Sequence, residues 1–271
     1  AMQNSGDVYA KSNAEVNAQT LNNDKGNLSA EKTLAVAVKT DLSNKEGSLT
    51  AGGNATITGR NLDNTAGQIG SQTGNLTLKL KGVLSNDAGS KKGTIAAAQG
   101  VSDIRASSIS NQGGAIYAHT TNISTGSINN QKGEISAIDD VNISASSLDN
   151  KSGTVFAQNE LGMVLSGAID FNQAGTIGAS NAVSLQAASV NNASGNVYSV
   201  NQSLALHSKG TVNNNDGYIG AKTNLSLTAS SLDNQRLDAT KKQANIVAGN
   251  INLVVAGNVR NSGDIYAHSL N

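Results

Sequence analysis

The carboxylates are the first residues in this chain whose type and placement could do chemistry. Asp149 and Asp170 stand in similar surroundings one repeat apart, and Asp139 and Asp140 sit side by side in a polar stretch. Two carboxylates held together can divide acid and base duty in cleaving a glycosidic bond. Their context argues against that use. The chain has no Trp to stack on a sugar. Asp63, Asp149 and Asp233 each precede an Asn in the same way, a recurrence that reads as capping of a repeated corner. Catalysis is therefore not expected.

Metal and cofactor chemistry fares no better. His119 and His268 share the setting Ile-Tyr-Ala-His but lie many repeats apart, so both are expected to be exposed. Zero Cys excludes thiolate-ligated zinc and a disulfide scaffold. Neither a Gly- and Asp-rich calcium nonapeptide nor a Gly-rich phosphate loop is present. No cofactor is expected. The 19 basic and 19 acidic residues cancel, which gives no electrostatic case for nucleic acid or an anionic membrane. No apolar run approaches the roughly 20 residues of a spanning helix.

What the sequence does repeat is a corner. Asn23, Asn44, Asn64, Asn86, Asn111, Asn130, Asn150, Asn172, Asn192 and Asn214 are each followed three residues later by Gly. Asn234 keeps the Asn and loses the Gly, while Asn261 and Asn4 carry a shortened Asn-Ser-Gly. The spacing averages about 21.6 residues, the size of a stacked one-turn unit. Asn can turn its amide into the corner to bond the backbone or the next Asn, making a structural ladder. Gly is expected to supply a position with φ > 0.

Between corners the pattern is that of strands. Ile135, Ala137, Val141, Ile143 and Leu148 alternate with Ser, Asn and Asp at period two. No helical return segment appears, so a leucine-rich repeat does not fit. The core must come from Ala, Val, Ile and Leu, because there are only two Phe. Zero Pro suits a chain whose N–H groups all pair between neighbouring coils. The reading is all-β: a single right-handed parallel β-helix over 1–271, of about 12–13 coils of roughly 20–22 residues.

Segments such as Leu62-Asp63-Asn64-Thr65-Ala66-Gly67-Gln68-Ile69 and Leu148-Asp149-Asn150-Lys151-Ser152-Gly153-Thr154-Val155 resemble the haemagglutinin repeats of filamentous-haemagglutinin-like exoproteins. The resemblance covers essentially the whole chain. It implies a slice of the β-helical shaft of a two-partner-secretion protein, either an adhesin or a contact-dependent growth-inhibition effector. It further implies secretion to the outer surface of a Gram-negative bacterium with the help of an outer-membrane secretion partner. A cell-surface receptor or a glycan is the expected partner of such a protein. Open solenoid ends would also permit end-to-end self-association.

Two corners depart from the pattern. One gains Ser90-Lys91-Lys92-Gly93 after Asn86, and the other gains residues 236–244 after Asn234. Both are basic, with Lys91, Lys92, Arg236, Lys241 and Lys242 as candidate partner contacts, since insertions at a solenoid corner project from one face. Near Asp170-Phe171-Asn172 an extra residue is expected to shift Ile169 out of register.

Overall fold

Alternation of apolar and polar side chains makes each short segment a strand with one face to bury. Leu34–Val38 is representative: Leu34, Val36 and Val38 are buried while Ala35 and Ala37 are exposed. The computed structural model describes residues 1–238, 240 and 244–270, and all of its regular elements are strands. Lys241 and Lys242, two of the candidate contacts, lie outside the described residues. The chain divides into two compact units, Ala1–Ala137 and Ile138–Asn271.

In the first unit a coil consists of three strands, such as Asn27–Ala30, Leu34–Val38 and Asp41–Ser43. Each pairs in parallel with its counterpart one coil on. Leu28, Leu49, Ile69, Ile95, Ile116 and Ile135 are thereby stacked in register. So are Val36, Ile57, Leu78 and Ile104 on the second strand, and Leu42, Leu62 and Leu84 on the third. These columns are the core. Full burial of each such side chain contributes about 1.5–3 kcal/mol of hydrophobic stabilisation.

The second unit is built the same way. Val155, Ile177, Val197, Ile219 and Ile246 form one column, and Ile143, Met163, Leu185, Leu206 and Leu227 another. Each unit is thus a parallel β-solenoid with short corners. The sequence expectation at Ile169 needs correction. Ile169 is fully buried and stays paired with Leu148, while Asp149 pairs with Phe171, so Asp170 is the extra residue and forms a β-bulge. A bulge bends one strand and spares the core register on either side. No helix among the described residues is long and apolar enough to cross a membrane.

Candidate functional site

The repeated corner is the most elaborate polar structure in the chain. In the first unit each Asn Nδ2 donates to the Oδ1 of the Asn one coil on. The chain of bonds runs from Asn4 through Asn23, Asn44, Asn64, Asn86 and Asn111 to Asn130, each at 2.7 Å. In the second unit it runs from Asn150 through Asn172, Asn192, Asn214 and Asn234 to Asn261, at 2.7–2.8 Å. Asn23, Asn44, Asn64, Asn86, Asn111, Asn130, Asn150, Asn172, Asn192, Asn214 and Asn234 are fully buried.

Burying an amide is tolerable only when its groups are paired. At Asn64 the pairing is complete. Its Oδ1 accepts from Asn44, and its Nδ2 donates to Asn86, to the Gly67 carbonyl at 3.2 Å and to the Thr94 carbonyl at 3.1 Å. Its backbone N–H donates to Ser85 O, and its carbonyl accepts from the Gly67 N–H at 2.9 Å. One side chain thus ties its own turn to the coils on both sides.

The role predicted for the glycine is also corrected. The left-handed residue of the corner is the one before it: Lys25, Glu46, Ala66, Lys132, Ser152, Ala174, Ser194 and Asp216 have φ between 53° and 60°. Gly113 is the glycine that takes this place, at φ 65°. The fourth-position glycine answers a different demand, close approach. A Cβ on Gly47 would overlap the Asn23 carbonyl oxygen of the neighbouring coil, and one on Gly67 would overlap that of Asn44.

The two enlarged corners keep the ladder and change the turn. At Asn86 the amide bonds the carbonyl of Gly93 instead of Gly89, at 3.1 Å, so 87–92 bow outward and Lys91 and Lys92 are exposed. At Asn234 the amide bonds Ala244 O at 3.3 Å. There the Asp216 carboxylate accepts from the N–H groups of Leu237 and Asp238, at 2.9 and 3.2 Å, and Arg236 is exposed.

Of the carboxylates considered for catalysis, Asp149 is engaged within its own turn and Asp140 with the following coil. Asp149 accepts from the Lys151 N–H at 3.1 Å, as Asp63 does from Thr65 at 3.0 Å. Asp140 accepts from Asn159 Nδ2 at 2.9 Å and from the Glu160 N–H at 3.1 Å. Burial pushes the Asp63 carboxyl up, but hydrogen bonds from Thr65 and the Lys45 ammonium outweigh this and leave it below its ordinary value. The Arg60 guanidinium, then the Asn61 amide, likewise lower Asp41. His119 and His268 are exposed. Three or more potential metal ligands do not gather anywhere among the described residues. Tyr9, Tyr117 and Tyr266 are exposed, whereas Tyr198 is half-buried against Phe156, and burial raises its hydroxyl pKa.

A family model described as the haemagglutinin repeat matches residues 1–46, 38–88 and 201–263, together more than half of the chain. The chain belongs to the haemagglutinin repeat family. Comparison with curated proteins and with solved structures gave no match. The matched haemagglutinin repeats include both corner types: regular ones at Asn23, Asn44 and Asn64, and the enlarged one at Asn234. The family pattern therefore resides in the ladder and the apolar columns, not in a fixed corner length.

Proposed function

We propose that the chain is a non-enzymatic shaft segment of a secreted surface protein of a Gram-negative bacterium, exported with an outer-membrane secretion partner. Its role is to carry distal binding or toxin modules of an adhesin or contact-dependent inhibition protein away from the cell. The observation that supports this reading best is the buried asparagine ladder within each unit, which commits the most polar corner of every coil to holding the next coil. Membership of the haemagglutinin repeat family agrees with it.

The test is an in-frame deletion of one whole coil, residues 24–44, in the parent exoprotein. Export and target-cell binding by the distal modules are expected to persist. Loss of binding with export intact would overturn the spacer reading. A second reading, contact with a receptor or glycan through the enlarged corners, draws on the exposed Lys91 and Lys92, which form no ion pair among the described residues. Deleting Gly89–Lys92 should then weaken cell binding while the fold is kept.

A further inference from the structure

One core column changes character part-way along the first unit. At the start of the second strand it runs Leu34, Ala55, Leu76, Ser102 and Thr121, stacked in register and all buried. In the second unit the same position holds Val141, Leu161, Val183, Leu204, Leu225 and Ile251, again buried. Ser102 and Thr121 therefore place two hydroxyls, one on the next, where those other coils stack apolar side chains. Serine also buries less apolar surface than the Leu76 beside it, so the column loses hydrophobic stabilisation here.

Thr121 Oγ1 donates to the Ser136 carbonyl at 2.9 Å, but Ser102 Oγ is buried with no hydrogen-bond partner in the protein. Buried serines elsewhere find a carbonyl: Ser71 donates to Gly53, Ser199 to Asn181 and Ser208 to Gly210. Among the described residues three buried side-chain polar atoms lack a partner, Ser102 Oγ, Thr125 Oγ1 and Asn245 Oδ1. Two of the three thus fall in the pair of coils formed by Thr94–Ser110 and Ala115–Asn129. The same pair is irregular in its backbone, since Ala98, Gln99 and Gly100 stand opposite the single residue His119. A buried hydroxyl without a partner favours any state in which water reaches it.

We propose that this pair of coils is the opening point of the first unit, the place in the stack that parts before its neighbours do. The asparagine ladder runs through it without a break, from Asn86 to Asn111 to Asn130. The corner lies between the third strand of one coil and the first strand of the next, so the second strand is the one that does not adjoin it. The ladder acts as the hinge, and the second strands at Ser102 and Thr121 lift apart to let water reach the hydroxyls. Such local opening costs less than unfolding the whole unit. A load along the stacking direction is therefore released at one fixed place. The inference stands on the core column and does not depend on the shaft reading.

The experiment is hydrogen–deuterium exchange of the 271-residue chain, read by mass spectrometry of its peptides and corrected for intrinsic rates. Backbone amides of residues 102–110 and 121–129 should exchange at least about tenfold faster than those of 34–43 and 55–63, near 1.4 kcal/mol. Ser102→Ala removes the orphan hydroxyl without adding bulk and should slow exchange in 102–110 and 121–129 by about tenfold. The reciprocal variant Ala55→Ser adds a hydroxyl to the same column and should speed exchange in 55–63. Equal or slower exchange of the pair in the unaltered chain would overturn the proposal. So would unchanged or faster exchange in Ser102→Ala, which would show that the hydroxyl is satisfied in the closed coils. Uniform slowing of every coil in that variant would report whole-unit stability and overturn a local opening, as would unchanged exchange in Ala55→Ser.

Discussion

The tight corner at Asn64 and the open corners at Asn86 and Asn234 solve one problem under different constraints. At Asn64 the amide closes a three-residue turn onto the Gly67 carbonyl, with Ala66 in the left-handed region at φ 56°. At Asn86 the same bond spans seven residues to Gly93, and at Asn234 it spans ten to Ala244. The amide-to-amide bond survives in all three, at 2.7 Å. The ladder and the carbonyl that closes the corner are therefore the fixed requirements. The residues between them are free to lengthen, in keeping with the slow growth of loop-closure cost with length.

The largest way to break this comparison is to remove the amide itself. Asn64→Ala would take away the Oδ1 that the Asn44 amide donates to, the donor to the Asn86 Oδ1, and one donor from each of the Gly67 and Thr94 carbonyls. The expected cost is about 3–5 kcal/mol, read from urea denaturation, and Asn86→Ala should cost about as much despite its longer loop. A much smaller loss at Asn86 would mean that loop length, and not the ladder, sets the energetics.

Next in size is the glycine after the turn. Gly67→Ala drives a methyl group into the Asn44 carbonyl of the neighbouring coil and should cost about 2–3 kcal/mol. Ala244 occupies the equivalent place in the open corner and is fully buried there. Ala244→Gly should cost about 1 kcal/mol or less. Comparable losses at the two positions would contradict the separation of tight from open corners.

Closing an open corner should do less still. Removing Gly89–Lys92 joins Asn86-Asp87-Ala88 directly to Gly93 and recreates the regular turn, with Ala88 in the place that Ala66 fills. Stability is expected to change by less than about 1 kcal/mol, and the far-ultraviolet circular dichroism should be unaltered. A large loss would assign the loop a structural role.

The smallest effect is that of pH. Asp41 and Asp63 both titrate below the ordinary 3.8 in the folded chain. Their contribution is present above that value and is lost as pH falls through the lowered ones. Both groups are substantially exposed and paired with exposed cations, so the contribution should be small. The double variant Asp41→Asn, Asp63→Asn should show a flatter acid limb in thermal melts between about pH 2 and 4, and an unchanged limb would remove these pairs from the account.

Much of the fold was legible because the repeat writes its constraints as residue types. A period-two apolar pattern names the buried face, and a recurring Asn marks a position where a polar group must be satisfied in every coil. The glycine was harder, since its identity says that a side chain is forbidden without saying why. Only the folded chain distinguishes an overlap with the neighbouring carbonyl from a left-handed φ, which non-glycine residues such as Glu46 and Lys132 adopt here. Ile169 was misplaced because counting residues cannot distinguish a shifted strand from a bulge at Asp170.

The central claim is that buried side-chain amides hold each coil to the next, and it is tested most directly by hydrogen exchange at those amides. In nuclear magnetic resonance spectra of the chain, the Nδ2 protons of Asn23, Asn44, Asn64 and Asn111 should exchange orders of magnitude more slowly than those of exposed Asn13 and Asn17. Exchange of the ladder amides at the rate of the exposed ones would contradict the account.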